Sequence, residues 1–211
     1  MKRISKIIAA FALVAGVALL PSAAFAQSSD VTQVINPGVL TSAILNASGT
    51  PVASPVFGMS ATNFSFSCQT ATGTLGSDSQ RLYVLNPSAT NGVDETWALQ
   101  LSASGSWTSG ANSYAYNNPA GAGCTGGQLT VNPSVGTVFD DCTSTACQNA
   151  VITRGTSTAM SGATPVTIMN SAATDSVYRG YITGVSLSQA IPAEQPAGSY
   201  SLDVTLTAVI Q

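Results

Sequence analysis

Few residues in this chain could do covalent or metal chemistry. Histidine is absent, which removes Ser-His-Asp and Cys-His catalysis and every His-ligated metal site. Two acidic pairs stand out, Asp94-Glu95 and Asp140-Asp141. Adjacent strand residues point to opposite faces, so neither pair is an acid/base couple by spacing alone. Sugar hydrolysis needs carboxyls that converge across a glycosidic bond. A calcium loop could use Asp carboxylates with backbone carbonyls, yet no Asp-x-Asp-x-Asp-Gly run occurs. The pairs read as solvated turn residues, and no catalytic residue, metal ligand set or cofactor is expected.

Four cysteines remain: Cys68, Cys124, Cys142 and Cys147. Without histidine, and with irregular spacing, they make a poor zinc set. An even number in an exported chain points to disulfides. The Cys142-Thr-Ser-Thr-Ala-Cys147 spacing suits a small local loop, which leaves Cys68–Cys124 as the other expected bridge. The residue types best suited to a binding role are Trp107, Tyr114 and Tyr116, within a Gly/Ser/Asn-rich stretch. Tyr114 and Tyr116 would share a strand face. Such aromatics can stack on sugar rings, being apolar in body and hydrogen-bonding at the tip; packing in a core is their plainer use. Asn46-Ala47-Ser48 and Asn63-Phe64-Ser65 match the N-glycosylation sequon, as chance allows in a chain rich in Ser and Asn.

Export is legible at the start of the chain. Lys2, Arg3 and Lys6 give a positive beginning, and Ile7 to Leu20 is an uncharged apolar run. Pro21 then precedes Ala24-Phe25-Ala26, a small-x-small cleavage site. The run is about 14 residues, short of the ~20 that span a bilayer. The sequence predicts a signal peptide over 1–26, cleaved after Ala26, and no membrane insertion afterwards. Beyond it the chain carries three arginines against all nine acidic residues, and no lysine. Binding to nucleic acid or anionic membrane needs clustered basic residues, so both are excluded as partners. Lys–Asn isopeptide staples are excluded as well.

The elements that must position these residues are strands. Trp97, Leu99 and Leu101 fall on one face of Thr96 to Leu101, and Leu202, Val204, Leu206, Ala208 and Ile210 alternate with polar residues. Period-two patterning marks half-buried strands. Phe64, Phe66 and Cys68 alternate likewise with Ser65 and Ser67. Further strands are expected at Arg81 to Leu85, Gln128 to Val131, Ala150 to Thr153, Pro165 to Met169 and Tyr181 to Leu187. Asn86-Pro87-Ser88, Asn91-Gly92, Asn117-Asn118-Pro119, Gly121 to Gly127 and Pro192 to Gly198 punctuate them, because Gly and Asn accept positive φ and Pro cannot join a central ladder. No 3.6-period segment follows the apolar start. The expected fold is all-β: a two-sheet β-sandwich of antiparallel strands, disulfide-stabilised, over 51–211. Residues 27–50 form an N-terminal arm or a first strand around Val39-Leu40-Thr41.

Several segments together resemble the WxL domain of bacterial cell-surface proteins. They are Gly38-Val39-Leu40, Pro55-Val56-Phe57-Gly58, Leu82-Tyr83-Val84 leading to Trp97-Ala98-Leu99, and Ile191-Pro192 through Gly198-Ser199-Tyr200 to Leu202-Asp203-Val204-Thr205-Leu206. A second Trp-x-Leu in the final strand and an Asp-Arg-Gly turn before the first are missing, and the cysteines are additional. The resemblance implies a secreted, non-enzymatic protein held non-covalently at the bacterial cell surface or cell wall. Its partners would be wall glycan, peptidoglycan or another wall polymer, or neighbouring surface proteins. Trp97 and Leu99 are residue types that a buried strand face carries, so the motif pair is expected in the core. The final strand is also similar to that of pilin-like and spore-coat-U-like sandwiches, which implies an alternative: a structural subunit that self-associates.

Overall fold

A computed structural model describes residues 39–86, 96–119, 125–140, 152–162, 164–171 and 179–211. The expected signal peptide, residues 27–38, the Asp94-Glu95 pair, Asp141, and Cys124, Cys142 and Cys147 lie outside them. The chain is all-β. Among the described residues it forms β1 (Thr41–Leu45), β2 (Gln69–Leu75), β3 (Arg81–Leu85), β4 (Trp97–Ser109), β5 (Asn112–Tyr114), β6 (Gln128–Asn132) and β7 (Thr137–Asp140). There follow β8 (Ile152–Arg154), β9 (Thr158–Ala159), β10 (Val166–Ser171), β11 (Arg179–Thr183), β12 (Val185–Ile191) and β13 (Ser201–Ile210). Every strand pairing is antiparallel.

The strands fall into three hydrogen-bonded sheets, ordered β1-β3-β11-β7, β2-β12-β6-β9 and β13-β4-β10-β8, with β5 added to β4 as a hairpin. The first two sheets are made by the same chain passes. β2 continues into β3, β6 into β7 and β11 into β12, and β11–β12 is central in both. Each pass is interrupted at a glycine. Gly184 separates β11 from β12 at φ +74°, and Gly76 ends β2 at φ +83°. Gly136 follows the 3-10 turn Pro133–Val135 that ends β6. The three lie in line, since the Gly184 N–H donates to the Gly76 carbonyl at 3.0 Å. A Cβ on Gly136 would stand 2.9 Å from Ile182 Cδ1 and 3.0 Å from the Thr183 carbonyl oxygen. Glycine kinks and local bulges are how sheets change direction. Here they divide one three-pass sheet into two halves.

Both halves pack on the β13-β4-β10-β8 sheet around one core. Leu82, Val84 and Ile182 come from the first half, Leu75, Val131 and Leu187 from the second, and Trp97, Leu99, Leu101 and Ile168 from the facing sheet. Trp97 and Leu99 are fully buried and Leu101 is 2 % exposed, as their alternation predicts. The Trp97 N–H donates to the Ser171 hydroxyl at 3.1 Å.

Other expectations need correction. Phe64 to Cys68 is not a strand; the strand begins at Gln69. Phe64 and Phe66 are 54 % and 78 % exposed and meet each other edge-to-face at 5.2 Å, because no second layer covers them among the described residues. Tyr181 to Leu187 is two strands, split at Gly184. The strand expected at Ala150 to Thr153 is Ile152–Arg154 among the described residues. β2, β7 and β9 form where the patterning predicts no strand. In β13, Leu202 and Leu206 are half-buried while Val204 is 40 % exposed, for a reason that concerns the site below. Cys68 is disulfide-bonded, and the other three cysteines fall outside the described residues.

Two substitutions test this architecture by chemical denaturation. Trp97→Ala should cost about 3–5 kcal/mol, the range for emptying a large buried aromatic site. Gly184→Ala should cost about 1–2 kcal/mol for holding a side chain in the left-handed region, since the nearest atom to the new Cβ is 4.0 Å away. A neutral Gly184→Ala would show that the kink is not needed.

Candidate functional site

The two half-sheets differ in what stands beside β13. Next to the first half lies β1, paired to β3 in register Thr41↔Leu85 to Leu45↔Arg81. There the Ser42 hydroxyl donates to the Leu206 carbonyl at 3.1 Å, closing the seam against β13. In the second half β2 is the last strand of its sheet. Among the described residues its outer edge is covered by an irregular strap, residues 55–62. Met59 bridges Gly73, and the Ser60 N–H donates to the Thr72 carbonyl at 2.6 Å. Gly73 is required for this approach: a Cβ there would stand 2.6 Å from Met59 Sδ and 2.7 Å from the Gly58 carbonyl oxygen.

Between strap and β13 the seam stays open as a cleft of about 680 Å³. Its floor is the core itself, with Ala71, Leu75, Leu101, Leu129 and Leu187 among the lining residues. Its rim carries Val56 and Val204, 76 % and 40 % exposed. The open seam explains Val204. Alternation directs it inward, but among the described residues no strand lies opposite to cover it.

Trp107 and Tyr114 line this cleft, placed by the β4–β5 hairpin that pairs them directly. Their rings stack at 6.1 Å and 13°. Tyr200, on the turn before β13, meets Tyr114 edge-on at 5.1 Å. The Trp107 indole N–H donates to Gln189 Oε1 at 2.7 Å, and Gln189 Nε2 donates to the Ala190 carbonyl at 2.7 Å. Gln189 is 1 % exposed, so this deep polar side chain has both ends of its amide engaged, as a buried amide must. Burial, and then the neighbouring Tyr200 phenol, push the Tyr114 pKa up from 10.0 to about 12.

Tyr116 does not join its expected partners. It is 3 % exposed, its hydroxyl donates to the Ala103 carbonyl at 2.8 Å, and its own carbonyl accepts from the Leu129 N–H at 2.6 Å. It packs in the core because the chain leaves β5 and turns inward after Tyr114. Tyr200 takes the third aromatic position instead. Its hydroxyl donates to the Pro196 carbonyl at 2.8 Å and accepts from Gln195 Nε2 at 2.7 Å. Of the sequons, Asn46 uses its side-chain oxygen to accept from the Ser48 and Thr50 N–H groups, which makes it a turn residue. Among the described residues no cluster of three acidic or cysteine ligands occurs, and no helix is long and apolar enough to cross a membrane.

No family model, no curated protein and no solved structure matches this chain.

The tyrosine cluster gives a titration test. A raised phenol pKa means that the folded state holds its proton longer than the unfolded chain. The Tyr114 contribution to stability is therefore complete below about pH 10 and is lost as pH climbs toward about 12. Tyrosinate absorbance of the wild type minus that of Tyr114→Phe should show one phenol ionising near pH 12. A difference curve centred near pH 10 would mean that Tyr114 is solvated.

Proposed function

We propose that this protein is a secreted, non-enzymatic protein of the bacterial surface that associates non-covalently with cell wall or with surface partners, and that the cleft between the strap and β13 is its binding site. The observation that carries the proposal is the open seam: a large apolar-floored cleft with an aromatic cluster at its edge, in a sheet assembly closed elsewhere by β1. Pockets of this size and lining are where proteins hold ligands. The signal-like start and the WxL resemblance supply the location. Trp97 and Leu99, which carry that resemblance, are fully buried, so they serve packing, and contact with a partner falls to other residues. In the same reading the two layers form a β-sandwich stapled by Cys68–Cys124 and Cys142–Cys147.

One observation favours a second reading, the self-associating structural subunit. β13 ends its sheet and exposes Val204 and Ile210, at 40 % and 59 %. Strand edges of this kind are templates for pairing with other chains.

Pelleting with purified wall separates the two. Attachment at the cleft should persist as salt rises to about 1 M, where the Debye length is ~3 Å, because no basic residue lines the cleft among the described residues. It should fall in the Val56→Asp/Val204→Asp protein, whose substitutions sit on exposed positions and spare the core. Release by salt would contradict the proposal. Absence of pelleting together with concentration-dependent filaments would favour the structural subunit.

A further inference from the structure

We propose that the cleft binds an uncharged single-chain amphiphile, with its alkyl chain on the core floor and its polar head at the rim. The inference rests on the reading of the cleft as the binding site and assigns the chemistry of what fills it. Three features decide that chemistry.

The first is the floor. Ala71, Leu75, Leu101, Leu129 and Leu187 present only hydrocarbon, and each is less than a tenth exposed. The polar side chain at that depth, Gln189, donates to the Ala190 carbonyl and accepts from Trp107. The deep part of a ligand therefore meets mainly hydrocarbon and an amide already engaged at both ends, and a polar group carried there would be poorly compensated for its lost water. A cleft of about 680 Å³ is within the roughly 300–1,000 Å³ of small-ligand pockets.

The second feature excludes an extended peptide from the floor. Its backbone N–H and C=O groups would need partners on both sides. The edge of β13 that borders the cleft is short. A register shift interrupts it between Ser201 and Asp203, and the Leu206 carbonyl is taken by Ser42. On the opposite wall, Thr72 and Gly73 of β2 are occupied by the strap. An alkyl chain makes no such demand.

The third feature is the charge at the rim. Ser60, Thr62, Ser199 and Ser201 offer hydroxyls, and Asp203 is the charged residue that lines the cleft. The arginines lie elsewhere. The Arg81 guanidinium sits 4.5 Å over the Tyr181 ring, Arg154 Nη1 donates to the Gly136 carbonyl, and Arg179 is in register with Leu85 on β3. Val204 is turned toward the cleft and its neighbour Asp203 toward the opposite face of β13, so a carboxylate or phosphate head would meet no cation among the described lining residues, whereas a hydroxyl-bearing head meets hydrogen-bonding neighbours.

Trp107 reports on the cleft directly. The chain has two tryptophans, so Trp97→Phe leaves Trp107 as the sole indole. Mature protein with that substitution is titrated with a monoacylglycerol whose chain is brominated, since bromine quenches indole fluorescence on contact. The same brominated chain as a free fatty acid is the charged comparison. The expected result is saturable quenching by the glyceride, about tenfold weaker binding of the fatty acid because its charge is unpaired, and loss of quenching in Ala71→Phe, which fills the floor. No saturable quenching by the glyceride would overturn the proposal, and this arm needs no cavity variant to fold. Equal or tighter binding of the fatty acid would overturn the uncharged head. Unchanged quenching in a folded Ala71→Phe protein would place the lipid elsewhere. Displacement of the glyceride by an alternating apolar peptide that protects the β13 edge from exchange would replace the proposal with strand addition. Quenching without wall pelleting refutes the surface attachment alone; pelleting without quenching refutes the amphiphile alone.

Discussion

Three glycines in line decide how this chain can cover its own core. An antiparallel sheet that ran straight through β2–β3, β12–β11 and β6–β7 would face the β13-β4-β10-β8 sheet along one direction only. The interruptions at Gly76, Gly184 and Gly136 let the same three passes present two inner faces to one partner sheet. Positive φ at Gly76 and Gly184 is affordable only without a Cβ. Close approach at Gly136 leaves no room for one. The break also lets the halves end differently. One gains β1 beside β13 and the other gains β9 on its far side. The cleft lies where the second half has no counterpart of β1.

Strands whose two faces differ strongly were legible in the sequence. The first half of β4 combines Trp97, Leu99 and Leu101 with a covered inner face, so amphipathic pattern and burial agree there. β2 carries a weaker signal. Its inner positions are Ala71, Gly73 and Leu75, and the volume that Gly73 lacks is supplied by Met59 from the strap. Small residues that make room for another segment look polar and loop-like in isolation. Phe64 and Phe66 show the reverse case. Alternation reports that one face is apolar, whereas burial requires something to cover it, and nothing among the described residues does. The break within Tyr181 to Leu187 lies at Gly184, whose φ of +74° is a conformation that glycine permits without announcing it in the sequence.

The site was legible in part. Trp107 and Tyr114 were singled out by residue type and neighbourhood, and the hairpin of β4 and β5 brings them together. Tyr116, two residues on, is drawn into the core by its bond to Ala103, because the chain stops being a strand after Tyr114. Tyr200 and Gln189 join the site from far along the chain, and Gln189 is 82 positions from the indole it binds. A buried glutamine on an otherwise apolar strand face, Val185-Leu187-Gln189, was the available signal, since such a group must have a partner.

The account stands on the seam beside β13 being open over the cleft and closed over β1. Amide hydrogen exchange of the protein, resolved residue by residue, measures this directly. In an antiparallel ladder alternate residues turn their N–H groups toward and away from the neighbouring strand. Leu206 turns its carbonyl outward to Ser42, so Val204 is outward too, and Thr205 faces Ser102 of β4. The account predicts rapid exchange at Val204 beside strong protection at Thr205. Equal protection at both positions would mean that another segment already pairs with this edge, and the cleft as described would not exist.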